Sequence, residues 1–294
     1  MSPDYFYFIA GLPNLSFEDT KLNYSLEQFR QDAKAQLSAG DYASLEDLHL
    51  PAGIDCLLNV LYKTEAKPVA DSLLSPEYWE EFIVFHKEYL SNSNLELPAK
   101  FKALPPFINT VIQNALSQEE LSPRIQLEEI LLNELYHWAE HHGCQFVSKW
   151  YAYDAHIRNI LTAINGRKFN LPYAKYLNGD GELVEKLAKS HAADFGLGKE
   201  DELFESLVRI YEQNNILYRE RSYDVLRWKW IDNQNFFNYF NIDRVLGYYC
   251  KLRILNRWLK ADVNLGKEVF HDTLNAMENS FSFPEEFNIK GIRK

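Results

Sequence analysis

The feature that most constrains this chain is how little turn punctuation it carries. Gly (12) and Pro (11) make up about 8% of 294 residues, against roughly 12% in average usage, which is too sparse to serve the hairpins and bulges of a β-rich fold. Long helices are the alternative, and the apolar spacing supports them. Leu127, Ile130, Leu131, Leu135 and Trp138 recur at three- and four-residue steps behind Ser122-Pro123, read as an N-cap with proline at the first helical position, and Gly143 is the expected stop. Phe146, Trp150, Tyr153, Ile157, Ile160, Leu161 and Ile164 continue in a second run that Gly166 is expected to end. Two helices joined by so short a connection pack antiparallel.

Other segments read the same way. Ser25 with Gln28 predicts a capping box, Ser75-Pro76 a helix start, and Leu203, Leu207, Ile210 and Tyr211 one face of a further helix. A long stripe runs through Ile242, Val245, Leu246, Tyr249, Leu252, Leu255, Trp258 and Leu259. Only Tyr5 to Ile9 resembles a strand, and its aromatic run equally suits a buried helix. Residues 165 to 181, with Gly166, Pro172, Gly179 and Gly181, form the least regular stretch and are read as a subdomain boundary. An all-α fold is therefore expected.

The formal charge of -11 argues against generic binding to nucleic acid or to an anionic bilayer. Three widely spaced cysteines, Cys56, Cys144 and Cys250, give neither a disulfide framework nor a CxxC metal pair, which suits a reducing compartment. The run Tyr5 to Leu12 is too short to span a bilayer, and Met1-Ser2-Pro3-Asp4 lacks the positive charge that opens a signal peptide, so a cytoplasmic protein is expected.

The sharpest local motif is His137-Trp138-Ala139-Glu140-His141, which fits the inverted zincin pattern H-x-x-E-H. On a helix His137 and His141 share a face and could hold zinc, with Glu140 as the base that activates water and Glu202 or Glu205 as the downstream third ligand. The competing reading is a polar face near a helix C-terminus, where histidines suit the macrodipole. Other motifs fail. Gly196-Leu197-Gly198-Lys199-Glu200 has Glu200 where a phosphate loop needs Ser or Thr, Gly179-Asp180-Gly181 lacks the third glycine of a dinucleotide fingerprint, and no G-x-S-x-G elbow occurs. No cofactor is implied.

Against the acidic background, residues 219 to 260 carry nine basic and four acidic side chains with Trp228, Trp230 and Trp258 among them. Arg and Trp anchor protein interfaces, so Arg227, Lys229, Arg244, Arg253 and Arg257 are the interface candidates; the competing reading makes the aromatics core and the charges a solvated helix face. A short recurrence is also present. Leu58-Asn59-Val60-Leu61, Arg158-Asn159-Ile160-Leu161 and Leu252-Arg253-Ile254-Leu255 lie 100 and 94 residues apart, each in a helical run.

The opening Tyr5 to Pro13, the segment Ser25 to Phe29, and the stretches Tyr223 to Asp232 and Phe240 to Leu246 resemble a bacterial family associated with V-type ATPases. That family is related in turn to the C/d family of V/A-type ATPase stalk proteins. The resemblance implies three similar helical subdomains in a funnel-like, pseudo-threefold body, with approximate bounds 1–104, 105–196 and 197–294. It further implies a non-catalytic central-stalk component that couples the rotor shaft to the membrane rotor ring, monomeric in isolation and held at the membrane only through those partner proteins. A zinc-dependent hydrolase built on residues 137–141 and a helical adaptor unrelated to any ATPase are the alternatives.

Overall fold

Local chemistry sets several helix starts. Ser25 Oγ accepts from the Gln28 backbone N–H at 3.1 Å while Gln28 reaches back to the Ser25 N–H at 3.4 Å, the reciprocal box that the spacing predicts. Ser75 caps the helix that Pro76 opens, and Asp201 and Asn215 cap two later ones. At Ser122-Pro123 the start falls one residue later than expected: Pro123, with ψ at 141°, is itself the cap, and the helix begins at Arg124.

The computed structural model describes residues 4–64, 69, 71–92, 94–198 and 201–260. Over them the chain is all-helical, with thirteen α-helices, one 3-10 turn at Ala174–Tyr176 and no strand. The first seven helices are α1 (Phe6–Gly11), α2 (Leu26–Gln36), α3 (Ala39–Asp47), α4 (Leu50–Leu61), α5 (Pro76–Ser91), α6 (Ala99–Lys102) and α7 (Pro106–Leu116). The remaining six are α8 (Arg124–Glu140), α9 (Gln145–Lys168), α10 (Glu182–Lys189), α11 (Glu202–Tyr211), α12 (Ile216–Gln234) and α13 (Ile242–Lys260). Tyr5 to Ile9 thus takes the helical of its two readings. Met1 to Pro3, Lys199 and Glu200 of the glycine-bearing stretch, and residues 261–294 of the expected third subdomain lie outside the described residues.

Gly166 does not end the second long helix, which runs on to Lys168. A Cβ at position 166 would sit 2.3 Å from the Tyr173 ring, so this glycine serves a close approach rather than a stop. The short connection from α8 to α9 brings the two helices together as expected, and they form an extensive pairing.

Two apolar clusters make up the interior. The larger gathers α1 to α8, the first half of α9 (Phe146, Val147, Tyr151), the second half of α12 (Trp228, Ile231) and α13. The smaller gathers the second half of α9 (Ile157, Ile160, Ala163), Leu187, Phe195, Leu197, Phe204, Leu207 and Tyr223. Helices α9 and α12 therefore each contribute to both cores. The three recurrent tetrapeptides fall inside α4, α9 and α13. No described helix is long and apolar enough to cross a membrane.

Candidate functional site

Where α8, α9, α12 and α13 meet, the Arg- and Trp-bearing stretch turns inward. Asp224, only 1% exposed, accepts from Arg227 Nη1 at 3.4 Å, from Trp258 Nε1 at 2.7 Å and from Arg257. Arg227 Nη2 donates to Asp154 at 3.1 Å, and Asp154 accepts from Tyr136 O–H at 3.0 Å. A buried carboxylate met by three donors and a guanidinium shared by two carboxylates is a compensated lattice. Burial of Tyr136 pushes its phenol well above the ordinary value, with the neighbouring Asp154 charge adding to the effect.

A second lattice pins α13 to the first half of the chain. Arg253 donates to the Leu48 carbonyl at 2.8 Å and pairs with Asp71. His49 sits beside it, with Nδ1 2.7 Å from the Asp71 carbonyl and Nε2 2.7 Å from Tyr249 Oη. A carbonyl can only accept, so Nδ1 carries the proton, and in the neutral ring Nε2 accepts from the tyrosine O–H. Burial lowers the His49 pKa from its ordinary value, with the Arg253 charge adding to that and Asp71 opposing it.

Of the five interface candidates, Arg227, Arg253 and Arg257 are thus engaged in ion pairs within the chain, and Arg257 is exposed along with Lys229 and Arg244. The interleaved tryptophans are packed as well. Trp230 stacks on Tyr153 at 5.0 Å between ring centres and lies 5.7 Å from Trp150, and Lys251 Nζ lies 4.6 Å from the Trp228 ring centre.

The H-x-x-E-H segment closes helix α8 at the surface. His137 and Glu140 have side chains 70% and 61% exposed, with Nδ1 and Oε2 3.6 Å apart. The His141 ring turns back onto the His137 carbonyl at 3.2 Å. Among the described residues no group of three His, Cys, Asp or Glu side chains could hold a metal ion. Glu202 and Glu205 belong to α11, which packs on α9 and α12. The nearby Cys144 is not set up as a nucleophile either: His142 Nε2 is 3.0 Å from Asp47, its Nδ1 accepts from the Cys144 backbone N–H at 2.9 Å, and burial raises the thiol pKa.

What the sequence reading passed over is a surface. The loop between α12 and α13 exposes Phe236, Phe237, Tyr239 and Phe240, with Phe237 81% exposed. It is joined to the chain start by the Tyr5 N–H to Phe240 carbonyl bond at 2.6 Å and by Phe6 against Phe240 at 4.4 Å. Tyr7, 94% exposed, and Phe6 extend the same apolar end. At the opposite end of α12, Ile216, Leu217 and Tyr218 are also exposed. Phe169 and Leu171 lie on that side: Lys168 reaches both Phe169 and Tyr211, and the Tyr211 carbonyl accepts from Arg219. The signal for the first end was the run Phe236-Phe237-Asn238-Tyr239-Phe240 between two amphipathic helices, where a surface turn carries polar residues in an ordinary soluble domain.

No curated protein and no solved structure matches the chain. The resemblance to a V-type-ATPase-associated branch of the C/d stalk proteins of V/A-type ATPases is overturned, because the family model that matches the chain is a different one, of unknown function, and no match to that ATPase family accompanies it. The recurrent segments Arg158 to Leu161 and Leu252 to Leu255 are short Leu-rich helical stretches whose arginines serve internal pairs with Glu129 and Asp71. The matching model, described as Protein of unknown function (DUF2764), covers residues 1–281, and the chain belongs to that family.

Proposed function

We propose that the protein works by binding rather than by catalysis, as a rigid two-ended docking component. The observation that carries this reading is the distribution of exposed large apolar side chains at the two ends of α12. A 19-residue helix separates its ends by about 28 Å. Between them the Asp224 lattice ties α12 to α9 and α13, so a load applied at one end meets a cross-braced middle. Contiguous apolar surface rimmed by polar residues is what a protein partner covers. A part with two docking ends and no nucleophile, base or metal cluster placed for chemistry among the described residues fits a mechanical role.

The assembly we propose is the central stalk of a V-type ATPase or ATP synthase, with the chain coupling rotor shaft to membrane rotor ring from the cytoplasmic side and touching the membrane only through those proteins. With kinship to the C/d stalk proteins withdrawn, support for this comes from the two-ended geometry and the acidic composition, with no described helix long and apolar enough to cross a membrane. Three similar subdomains and a funnel-like shape belong to the same proposal. Purification of the tagged full chain from detergent-solubilised membranes of its source tests it. Recovery of shaft and ring proteins in fixed ratio supports the reading, and recovery of an unrelated complex makes the protein an adaptor instead.

A further inference from the structure

Helix α3, the first turns of α4, the segment 71–74 and helices α5 to α7 enclose a pocket of about 240 Å³. Its lining divides by exposure. Gly53, Ile54, Trp79 and Ile108 are buried and form the floor, whereas Glu46, Leu73, Lys100 and Ala103 are exposed and form the rim. Leu50, Leu74 and Leu104 are half-buried and make the wall between them apolar.

The titratable side chains of this lining are already committed, with one exception. His49 has both ring nitrogens engaged, by the Asp71 carbonyl and by Tyr249, and burial brings its pKa down to about 4, so it is neutral at pH 7. The Arg253 and Arg30 charges also bear on His49, and Arg253 is paired with Asp71. Tyr78 donates its hydroxyl to the Lys100 carbonyl at 2.8 Å, the Lys100 ammonium pairs with Glu81, and Asp47 is 3.0 Å from His142 Nε2. The exception is Glu46, whose carboxylate has no hydrogen-bond or ion-pair partner among the described residues. Burial raises its pKa from the ordinary value, Asp47 adds to that, and the Lys34 charge opposes it with the smallest effect of the three. A positive charge brought to this carboxylate would therefore be favoured.

We propose that this pocket is a binding site for a small primary amine with an apolar, ring-sized body. The ammonium donates to Glu46 at the rim, and the body lies against Ile54, Trp79 and Ile108 on the floor. An accessible acid at the mouth and a buried apolar floor accept an amphipathic cation in one orientation only. A cavity of about 150 Å³ holds benzene, so the present volume takes one ring with a short chain, and it stays under the range of about 300–1,000 Å³ typical of drug-sized pockets. This inference stands apart from the docking role, because neither exposed end of α12 lines the pocket.

Calorimetric titration of the full chain with phenethylamine, with phenethyl alcohol and with phenylacetate tests it. Saturable phenethylamine binding is expected, about tenfold weaker for the alcohol, which lacks the charge, and weaker again for phenylacetate, which reverses it. Glu46→Gln, at an exposed position, should bring the amine down to the level of the alcohol while leaving the alcohol and the circular dichroism spectrum unchanged. Leu73→Ser removes apolar wall and should weaken amine and alcohol alike. Glu220→Gln removes an exposed carboxylate outside the lining and should change neither. The proposal is overturned by absence of saturable phenethylamine binding, by phenylacetate binding as tightly as the amine, or by a Glu46→Gln variant that keeps the preference for amine over alcohol.

Discussion

Residues 216 to 260 treat their aromatic and charged side chains in two opposite ways. Around Asp224, Arg227 and Trp228 are drawn into the body and Trp258 donates to the buried carboxylate, whereas twelve residues later Phe236 and Phe237 point outward and, among the described residues, have only each other, at 4.8 Å, as ring partners. The difference teaches which residues hold the body together and which leave apolar surface in water. Charge and aromaticity mark both, but burial separates them. An arginine with a buried carboxylate on it has its charge already paired, and a phenylalanine left in water has its apolar surface still to cover.

The largest effect expected from this contrast is at its buried pole. Asp224→Ala leaves Arg227 without one of its two carboxylates and takes the acceptor from Trp258, so equilibrium urea unfolding should show a loss of about 3–5 kcal/mol. A loss below about 1 kcal/mol, the range of a surface pair, would mean that the lattice is ornamental. Next comes Gly247→Ala, whose new methyl would lie 2.0 Å from Asn235 Nδ2 and 3.0 Å from Ile231 Cγ2. Overpacking of this kind costs about 1–3 kcal/mol, and the same denaturation series would show it.

The second lattice adds a pH dependence with a definite sign. His49 in the unfolded chain takes up its proton near pH 6.5, but in the folded protein burial and Arg253 hold its pKa lower. The unfolded state therefore binds more protons through the intervening window. Stability is whole above about pH 6.5 and is lost as the pH falls below it. Melting temperature measured down from neutral pH should decline through this window, and His49→Gln should flatten the slope without abolishing it. His86 keeps a remainder, because burial lowers its pKa as well. An identical slope in the variant would remove His49 from the account.

At the exposed pole the expected change in stability is the smallest. Phe236→Ser with Phe237→Ser removes two side chains that are 68% and 81% exposed, so unfolding should move by less than about 0.5 kcal/mol per site. His137→Ala at the end of α8 should be equally silent in unfolding, and zinc content of the protein purified without a metal column should be the same with and without it. Stoichiometric zinc lost on that substitution would restore the hydrolase reading.

Much of the fold was legible because its causes are local. The Ser25 box, the Ser75-Pro76 start and the three- and four-residue apolar steps of α8 and α9 need only neighbours in sequence. The sites were not legible because their causes are distant. Asp224 meets Trp258 across 34 positions, and Arg253 meets Asp71 across 182, so helical spacing could not tell that Arg227, Arg253 and Arg257 were already partnered. Helix α12 is buried on one side against apolar residues and on another against charged ones, which blurs the periodicity by which an inner face is normally recognised. Gly166 misled for a related reason: a glycine that lets Tyr173 approach and a glycine that ends a helix look alike in one dimension.

The central claim is that the exposed aromatic end between α12 and α13 docks a partner. Its most direct measurement is quantitative mass spectrometry of what the tagged full chain retains through a salt wash from solubilised membranes, beside the Phe236→Ser, Phe237→Ser double variant. Shaft and ring proteins of a V-type ATPase are expected with the parent chain, and loss of one of these groups, with the other kept, in the variant. Recovery of the protein alone, or of the same partners in the same ratio with both forms, would contradict it.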